Sequence, residues 1–270
     1  KASRLLSSRV AVAVLATHLQ ELLRANAAEV LTRHDVQKML DRVKETEPAL
    51  VKDLVPNAIP LATLHRVLQG LLRERVPVRD LVTILETLGD HAGQQKPVDA
   101  LVEEARVALA PSFAGALLDD QNRLVAVACE PALESRLLQS LVQGDRGPML
   151  ILTPGQVTAL VKQIAAEYAA AGGRRTAGQA SSGTAGLTGS GTGGRTRSGT
   201  QPVLVCSAAL RPHLRRLIER ALPSLPVLSY SEVPRRATLE IVAQAPESVL
   251  GPGGPPLRAA QKTHAETQKG

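Results

Sequence analysis

Apolar and polar residues follow two different periods along this chain, and the first period predicts helices. From residue 8 to residue 109, apolar side chains recur every three or four positions, which is typical of amphipathic helices. The predicted helices span residues 8–27, 32–43, 48–56, 60–72, 78–88 and 97–109. The widest apolar stripe belongs to the 60–72 helix, so we expect this helix at the centre of the core. Short connections favour antiparallel neighbours in a compact bundle. The side chains predicted to face its core are Val36, Met39, Leu40, Val43, Leu64, Val67, Leu68, Leu71, Leu81, Ile84, Leu85, Leu88, Leu101, Val102, Ala105, Val107 and Leu109.

The second period begins near Ser112 and predicts a mixture of strands and helices. The predicted strands span residues 123–129, 202–206, 227–230 and 237–242, and the predicted helices span residues 131–142, 155–170 and 208–221. Thr153 and Ser207 are the expected helix caps, and Leu138 is expected to face inward. This order indicates a βαβ unit. The predicted fold class is α+β, with a helical bundle subdomain over residues 30–111 and a small α/β subdomain over residues 112–245.

Two segments have compositions that disfavour folding. Residues 172–199 contain ten Gly, nine Ser or Thr and four Arg. Such a composition buries too little apolar surface to offset chain entropy. We therefore predict a disordered Gly/Ser/Thr/Arg insertion over residues 172–200, and a disordered tail over residues 246–270.

Composition and charge exclude several classes of function. No apolar run approaches the roughly 18–20 residues of a membrane span. Aromatic residues make up 1% of the chain, which argues against sites that stack nucleic-acid bases or sugars on aromatic rings. The net charge is +7, but residues 30–110 carry eleven basic and twelve acidic residues, so the folded body is nearly neutral. A neutral body is not a nucleic-acid surface. Two cysteines fit a reducing compartment.

The sequence shows no constellation for catalysis, cofactor binding or metal binding, so we expect a protein that is not an enzyme. Cys206 and His213 form no nucleophile arrangement, and a small buried thiol is the better interpretation of Cys206. The pair Asp90-His91 lacks metal-ligand spacing. Three arginines on one predicted helix, Arg211, Arg215 and Arg216, are interpreted as a solvated face. An acidic protein partner is the first alternative, and nucleic acid, which the scarcity of aromatic residues disfavours, is the second.

Several segments carry a family resemblance in the correct order along the chain. They are residues 31–41, 54–72, 75–88, 206–212, 222–223 and 227–232. Together they resemble the C-terminal cytoplasmic part of the bacterial type III export gate proteins, the FlhA family in flagella. Residues 14–19 and the run into Ala92 resemble the flagellar branch more than the virulence-secretion branch.

The resemblance implies a non-enzymatic component of the flagellar type III protein export gate. In this family, nine subunits form a cytoplasmic ring that docks export chaperones with their substrates, the export ATPase complex and other export-gate proteins. Family members also carry N-terminal membrane spans and two earlier cytoplasmic subdomains. Residues 1–29 would then be the helical remnant of a preceding subdomain in a fragment or a natural truncation. The expected location is the cytoplasmic face of the inner membrane, with contact to the membrane only through the missing N-terminal segment.

The resemblance also nominates residues for two interaction sites. The family's matching threonine lines a pocket for export chaperones, so Thr17 and its neighbour His18 are the chaperone-binding candidates. An ordinary helical threonine and a solvent-facing histidine are the alternative. The ring-interface candidates are Arg75, Arg79, Asp80, Glu86 and Asp90. Exposed ion pairs within the helices are the alternative for these five.

Two alternative functions remain open from the sequence. The first is the virulence (injectisome) export gate, which is the equivalent protein of the other branch. The second is a basic nucleic-acid-binding protein that acts through its arginine-bearing linker. The neutral folded body and the missing aromatic residues favour a protein with no nucleic-acid partner.

Overall fold

The computed structural model describes residues 15–23, 26–94, 96–144, 147–180 and 201–251, with backbone alone for residues 173–180. Its first part is helical. The helices are α1 (15–23), α2 (Ala27–Val30), α3 (Arg33–Thr46), α4 (Pro48–Leu54), α5 (Leu61–Arg73), α6 (Leu81–Asp90) and α7 (Val98–Phe113). We refer to α2–α7 as the bundle.

The core of the bundle forms around α5, as the apolar periodicity predicts. Leu64, Val67, Leu68 and Leu71 lie on one face of α5, and each is fully buried. The predicted inward residues of α6 are buried as well. Helix α7 approaches α5 so closely that a Cβ at Gly70 would lie 2.6 Å from Val102 Cγ2. Glycine therefore sets the distance between these two helices.

Short-range polar contacts fix the ends of the helices. Thr32 begins α3 in a capping box, in which its hydroxyl accepts from the Asp35 amide and the Asp35 carboxylate accepts from the Thr32 amide. Asp80 caps α6 by accepting from the Thr83 amide at 3.1 Å. His65 Nε2 donates to the Leu31 carbonyl at 2.8 Å and ties α5 to the start of α3.

The second part is a four-stranded parallel sheet flanked by helices, which we call the sheet lobe. Its elements are the 3₁₀ helix η1 (Ala114–Leu117), β1 (Arg123–Cys129), α8 (Pro131–Gln139), β2 (Leu141–Gly144), β3 (Gly147–Leu150), α9 (Pro154–Ala180), β4 (Val203–Cys206), α10 (Arg211–Ile218), β5 (Val227–Ser229), η2 (Tyr230–Glu232), β6 (Thr238–Ala245) and η3 (Glu247–Leu250). The strand order is β5-β4-β1-β6, and β4–α10–β5 forms the predicted βαβ unit. The α+β fold class is confirmed.

The two faces of the sheet bury different apolar layers. Val127, Leu204 and Val227 pack with α8, α9 and α10 on one face. Leu124, Val205 and Leu228 pack on the other face with η1 and Phe113. Phe113 also packs against the bundle core, so the end of α7 connects the bundle to the sheet.

A hairpin replaces the end of a predicted helix. Helix α8 ends at Gln139 instead of Val142, and β2 pairs antiparallel with β3. Gly147 has φ of +109°, a backbone conformation that favours glycine. The expectation that Leu138 faces inward is wrong, because Leu133 and Leu137 form the buried side of α8 and Leu138 is 38% exposed.

The predicted disordered insertion begins too early. Helix α9 continues to Ala180, past its expected end at residue 170, so residues 172–180 are helical. The alanine-rich stretch before Gly172 favours the helix up to that point, because alanine has the strongest helix propensity. Local propensity does not explain the continuation through the glycines that follow. The rest of the predicted insertion, residues 181–200, lies outside the described residues.

The predicted disordered tail also begins too early. Residues 247–250 form η3, and Leu250 packs into the core beside α9 with 4% exposure. Gln156 Nε2 donates to the Leu250 carbonyl at 3.1 Å, and Arg136 donates to the Gly251 carbonyl at 2.9 Å. Residues 252–270 lie outside the described residues.

The predicted caps have different outcomes. The Thr153 hydroxyl accepts from the Gln156 amide at 3.3 Å, as expected. Ser207 does not cap α10, because the helix begins four residues later at Arg211. The Ser207 hydroxyl is buried without a hydrogen-bond partner, while its amide donates to Glu134 at 2.6 Å.

Candidate interaction surfaces

The chaperone-binding candidates lie on an exposed helix. Thr17 and His18 are exposed on α1. The apolar stripe of α1 is exposed as well, with Leu15 at 67% and Leu19 at 58%. The described part of α1 therefore presents both candidates and an apolar stripe at the surface.

The ring-interface candidates surround the turn between α5 and α6. Arg75 adopts φ of +59°, which directs the chain around the buried Val76. Arg75 and Arg79 are exposed. The Asp80 carboxylate accepts from the Thr83 amide and hydroxyl, so it has a structural role at the start of α6. The turn thus brings two arginines to the surface beside a capped helix.

The acidic candidates lie further along α6. Glu86 and Asp90 are exposed and four residues apart, so they share one helix face. Within the described part of the chain, none of the five ring candidates forms an ion pair, so the helix-pair alternative has no contact to support it. Arg79 also borders a depression of about 460 Å³, which is lined by Met39, Arg42, Val43, Pro77, Val78, Arg79 and Leu81.

The interpretation of the α10 arginines as one solvated face is wrong. Arg216 is exposed and pairs with Asp99 of α7 at 2.6 Å. Arg211 is fully buried, and Arg215 is half-buried with its guanidinium donating to the Leu225 carbonyl at 2.9 Å. The error arises because Arg211 begins the helix and points into the contact with the bundle, whereas only Arg216 faces solvent.

A group of charged side chains joins the bundle to the sheet lobe, with two arginines and one glutamate buried and two glutamates partly exposed. This ion cluster contains Glu74, Glu103, Arg106, Arg211 and Glu232. Arg106 of α7 donates to Glu232 of η2 at 2.8 Å and to Glu74 at 3.1 Å. Its guanidinium also lies 5.2 Å from the centre of the Phe113 ring, in cation–π contact.

Arg211 binds two carboxylates of the bundle from the opposite side of the ion cluster. Its Nη1 and Nη2 donate to Glu74 at 2.6 Å and 3.0 Å. It also makes a two-pronged contact with Glu103. Such bidentate pairing is a property of the planar guanidinium that lysine lacks. The arginines of the two lobes thus meet at the same carboxylate, Glu74.

Burial and charge act differently on the two bundle carboxylates. Burial raises the pKa of Glu103, and Arg211 offsets only part of this effect. Burial also opposes ionisation of Glu74, but hydrogen bonds from Arg211 and the positive charges of Arg106, Arg211 and Arg215 outweigh it and lower its pKa. Ionisation is therefore easier at Glu74, and harder at Glu103, than at an ordinary glutamate.

The apolar pattern missed the ion cluster, although one signal was present. Val102, Ala105 and Leu109 form the buried stripe of α7, and Arg106 lies on the same stripe. Val107, which was predicted to face inward, is 38% exposed. A charged residue at a core position of a helix is a signal for a buried ion pair, but the sequence does not identify its partners.

Both cysteines of the chain are buried in the sheet lobe. Cys206 is buried, as expected, and burial raises its pKa well above the ordinary value. Burial also raises the pKa of Cys129 to about 12. Among the described residues, no group of three His, Cys, Asp or Glu side chains is placed to hold a metal ion. No helix in the same set is both long enough and apolar enough to span a membrane.

Comparison with known sequences gives a family match. The sequence pattern of the FHIPEP family matches residues 6–177. The chain is 37% identical over 220 residues to the flagellar biosynthesis protein FlhA of Escherichia coli. This alignment covers 82% of the chain and 28% of that relative, so the chain spans little more than a quarter of the relative's length.

Comparison with solved structures gives the same fold. Nonameric EPEC SctV-C matches with a TM-score of 0.67 and 24% identity, over 84% of this chain and 60% of that chain. CdsV of Chlamydia pneumoniae, in a structure with CdsO, matches with a TM-score of 0.69 and 24% identity, over 86% of this chain and 61% of that chain.

Proposed function

The chain belongs to the FHIPEP family, and from this premise we propose that it is part of a flagellar type III protein export gate. In this role it contributes to a cytoplasmic ring and docks other proteins without catalysing a reaction. The observation that carries the proposal is the 37% identity to FlhA over 82% of the chain. The exposed surfaces described above and the absence of a metal-binding group among the described residues support a binding role.

The test of this proposal is a chimera. Residues of Escherichia coli FlhA that align with this chain are replaced by the chain, and secretion of flagellar proteins is measured in a strain without its own FlhA. Restored secretion is the expected result. A chimera that is stable in the membrane and secretes nothing contradicts the proposal. The expected location of the active protein is the cytoplasmic face of the inner membrane.

The ring is proposed to use the turn between α5 and α6. Arg79 and Glu86 are exposed and have no ion-pair partner among the described residues, so their charges remain available to a neighbouring subunit. Charges at such an interface determine orientation more than affinity. The nonameric assembly of SctV-C, a protein of the same fold, supports a ring of nine subunits.

Charge reversal tests the ring interface. Arg79→Glu together with Glu86→Lys should reduce the ring population in sedimentation velocity of the full-length protein. Arg66→Glu is the control, because Arg66 is exposed on α5 outside the candidate set. If both proteins form rings equally well, these residues do not belong to the interface.

The proposed partners are export chaperones with bound substrates, the export ATPase complex and other export-gate proteins. The structure of CdsV with CdsO supports docking of a further protein on this fold. We assign chaperone binding to Thr17 and His18 of α1. Thr17→Met in the full-length protein should abolish chaperone binding measured by calorimetry, whereas Thr46→Met at another exposed threonine should not. Unchanged affinity would remove Thr17 from the site.

The two alternatives have less support. The injectisome proteins share the fold at 24% identity, compared with 37% for the flagellar protein. The nucleic-acid alternative acts through the arginine-bearing linker, of which residues 181–200 lie outside the described residues. The α10 arginines Arg211 and Arg216 add no support to it, because both are paired with carboxylates. A salt titration of DNA binding tests this alternative, and weak binding is expected.

A further inference from the structure

We propose that Glu74 is the residue that couples the bundle to the sheet lobe, by holding Arg106 and Arg211 in one rigid joint. This inference goes beyond the proposed function, because it concerns the geometry of a single subunit. It holds or fails whether or not the chain docks partners or forms a ring.

The position of Glu74 gives it contacts that no other member of the ion cluster has. It follows α5 directly, and the turn at Arg75 leaves Glu74 inside while Arg75 is exposed. Its carboxylate accepts from Arg106 of the bundle and from Arg211 of the sheet lobe. Of the two arginines, Glu103 contacts only Arg211 and Glu232 contacts only Arg106. Glu232 also accepts from the amide and the hydroxyl of Ser229 within the sheet lobe. Glu74 is therefore the acceptor that the arginines of both lobes share.

The burial of both arginines makes this shared acceptor important. The side chain of Arg211 is fully buried and that of Arg106 is 3% exposed. An arginine cannot lose its charge in a protein, so removing a carboxylate leaves buried positive charge with less compensation. Arg106 also donates to the Val227 carbonyl at 3.3 Å, so it contacts the backbone of β5 as well as the two carboxylates.

Glu103 makes the closer contacts with Arg211, but we expect it to contribute less. The charged groups that face Glu103 are Arg211 from α10, Glu74 after α5 and Arg106 from its own helix. The nearby negative charge of Glu74 and the loss of hydration oppose its ionisation, whereas three arginines surround Glu74. Replacing Glu103 by a neutral amide therefore removes one carboxylate from Arg211 alone, whereas replacing Glu74 removes a carboxylate from both arginines.

Distances between spin labels on the two lobes test the proposal. Labels are attached at Asp53→Cys on α4 and Glu219→Cys after α10, both at exposed positions, while the native Cys129 and Cys206 are buried. Glu74→Gln should broaden the distance distribution measured by electron–electron double resonance. It should also raise amide exchange in α10 and η2 roughly tenfold or more.

Two variants with the same change of charge serve as controls. Glu103→Gln removes a charge from the same ion cluster, and Asp99→Asn removes one from the exposed pair of α7 with α10. Both should keep the narrow distribution and change amide exchange less than about threefold. A narrow distribution in Glu74→Gln, or equal broadening in Glu103→Gln, would overturn the proposal.

If Glu74→Gln does not fold, a second pair of variants still tests the proposal. Glu74→Asp keeps the charge but shortens the side chain, so that it cannot reach both arginines. Glu103→Asp makes the same change at the neighbouring carboxylate. The distance distribution should broaden in Glu74→Asp and stay narrow in Glu103→Asp. A narrow distribution in Glu74→Asp, or equal broadening in both variants, would contradict the role of Glu74.

Discussion

The bundle core and the ion cluster share helix α7, yet they use opposite chemistry. On the buried stripe of α7, Val102 and Leu109 contact the apolar residues of α5 and α6. Arg106 lies on the same stripe and enters a group of carboxylates between the bundle and the sheet lobe. Burial alone therefore does not separate apolar from ionic packing, because Arg106 and Val102 are 2% and 6% exposed.

The two regions also differ in whether their contacts need a particular orientation and a particular partner. Apolar contacts are non-directional, so many side chains of suitable size fill a bundle core. Ion pairs out of water need specific partners, because each charge loses hydration that only its partner replaces. We therefore expect a single substitution to lower the free energy of unfolding in both regions. Only in the ion cluster should a second substitution, at the partner of the first residue, restore part of that loss.

The largest expected effect is in the bundle core. Leu68 is fully buried at the centre of α5. Leu68→Ala should lower the free energy of unfolding by about 3–5 kcal/mol, because it removes buried apolar surface and leaves a cavity. Chemical denaturation followed by circular dichroism measures this change. Leu15→Ala on α1 is the control, since Leu15 is 67% exposed, and a similar loss there would contradict the comparison.

The next effect is in the ion cluster. Arg106→Met leaves Glu232, whose side chain is 1% exposed, without its charged partner. We expect a loss of about 3 kcal/mol in the same denaturation experiment. Adding Glu232→Gln should recover part of this loss, because the amide oxygen still accepts hydrogen bonds and the uncompensated charge is gone. If the double variant is no more stable than Arg106→Met, the two charges are not coupled.

A smaller effect depends on pH. Glu103 has a raised pKa in the folded protein, so the folded state binds a proton more readily than the unfolded state. The stability of the wild-type protein relative to Glu103→Gln should therefore increase as the pH falls from 7 through the raised pKa. Thermal unfolding of both proteins over this range measures the difference. If the wild-type protein instead loses stability relative to Glu103→Gln as the pH falls, the pKa of Glu103 is not raised in the folded state.

The smallest effect is at the exposed pair between the same helices. Arg216 and Asp99 are 56% and 64% exposed, so water screens their attraction. Arg216→Ala should change the free energy of unfolding by less than about 1 kcal/mol. A loss as large as that of Arg106→Met would show that exposure does not distinguish the two contacts of α7 with the sheet lobe.

Sequence patterns predicted the elements whose formation depends mainly on residues close together along the chain. The stripe of α5, the cap at Thr153 and the strand 123–129 are all confirmed. The hairpin of β2 and β3 was missed, because apolar residues in short runs fit helix and strand equally well. The Gly- and Pro-rich composition of the tail predicts disorder from residue 246 onward. Composition does not reveal that Leu250 packs into the core.

For the candidate sites, the sequence likewise indicated residues but not their surroundings. The resemblance nominated Thr17 and the ring candidates, and the structure places them at the surface, where their roles remain predictions. Sequence spacing placed Arg211, Arg215 and Arg216 on one face, although their surroundings differ completely. Spacing along a helix specifies direction around its axis, but not which neighbour lies in that direction.

The sequence by itself determined the helical bundle, the parallel sheet and the family, because periodicity and ordered motifs are properties of neighbouring residues. Only the tertiary structure decided that Glu74, Arg106 and Arg211 meet, since residues separated by up to 137 positions come together through the packing of α7 and α10. The physical reason is that the charge of an arginine is fixed, whereas the cost of burying it depends on carboxylates supplied by other elements.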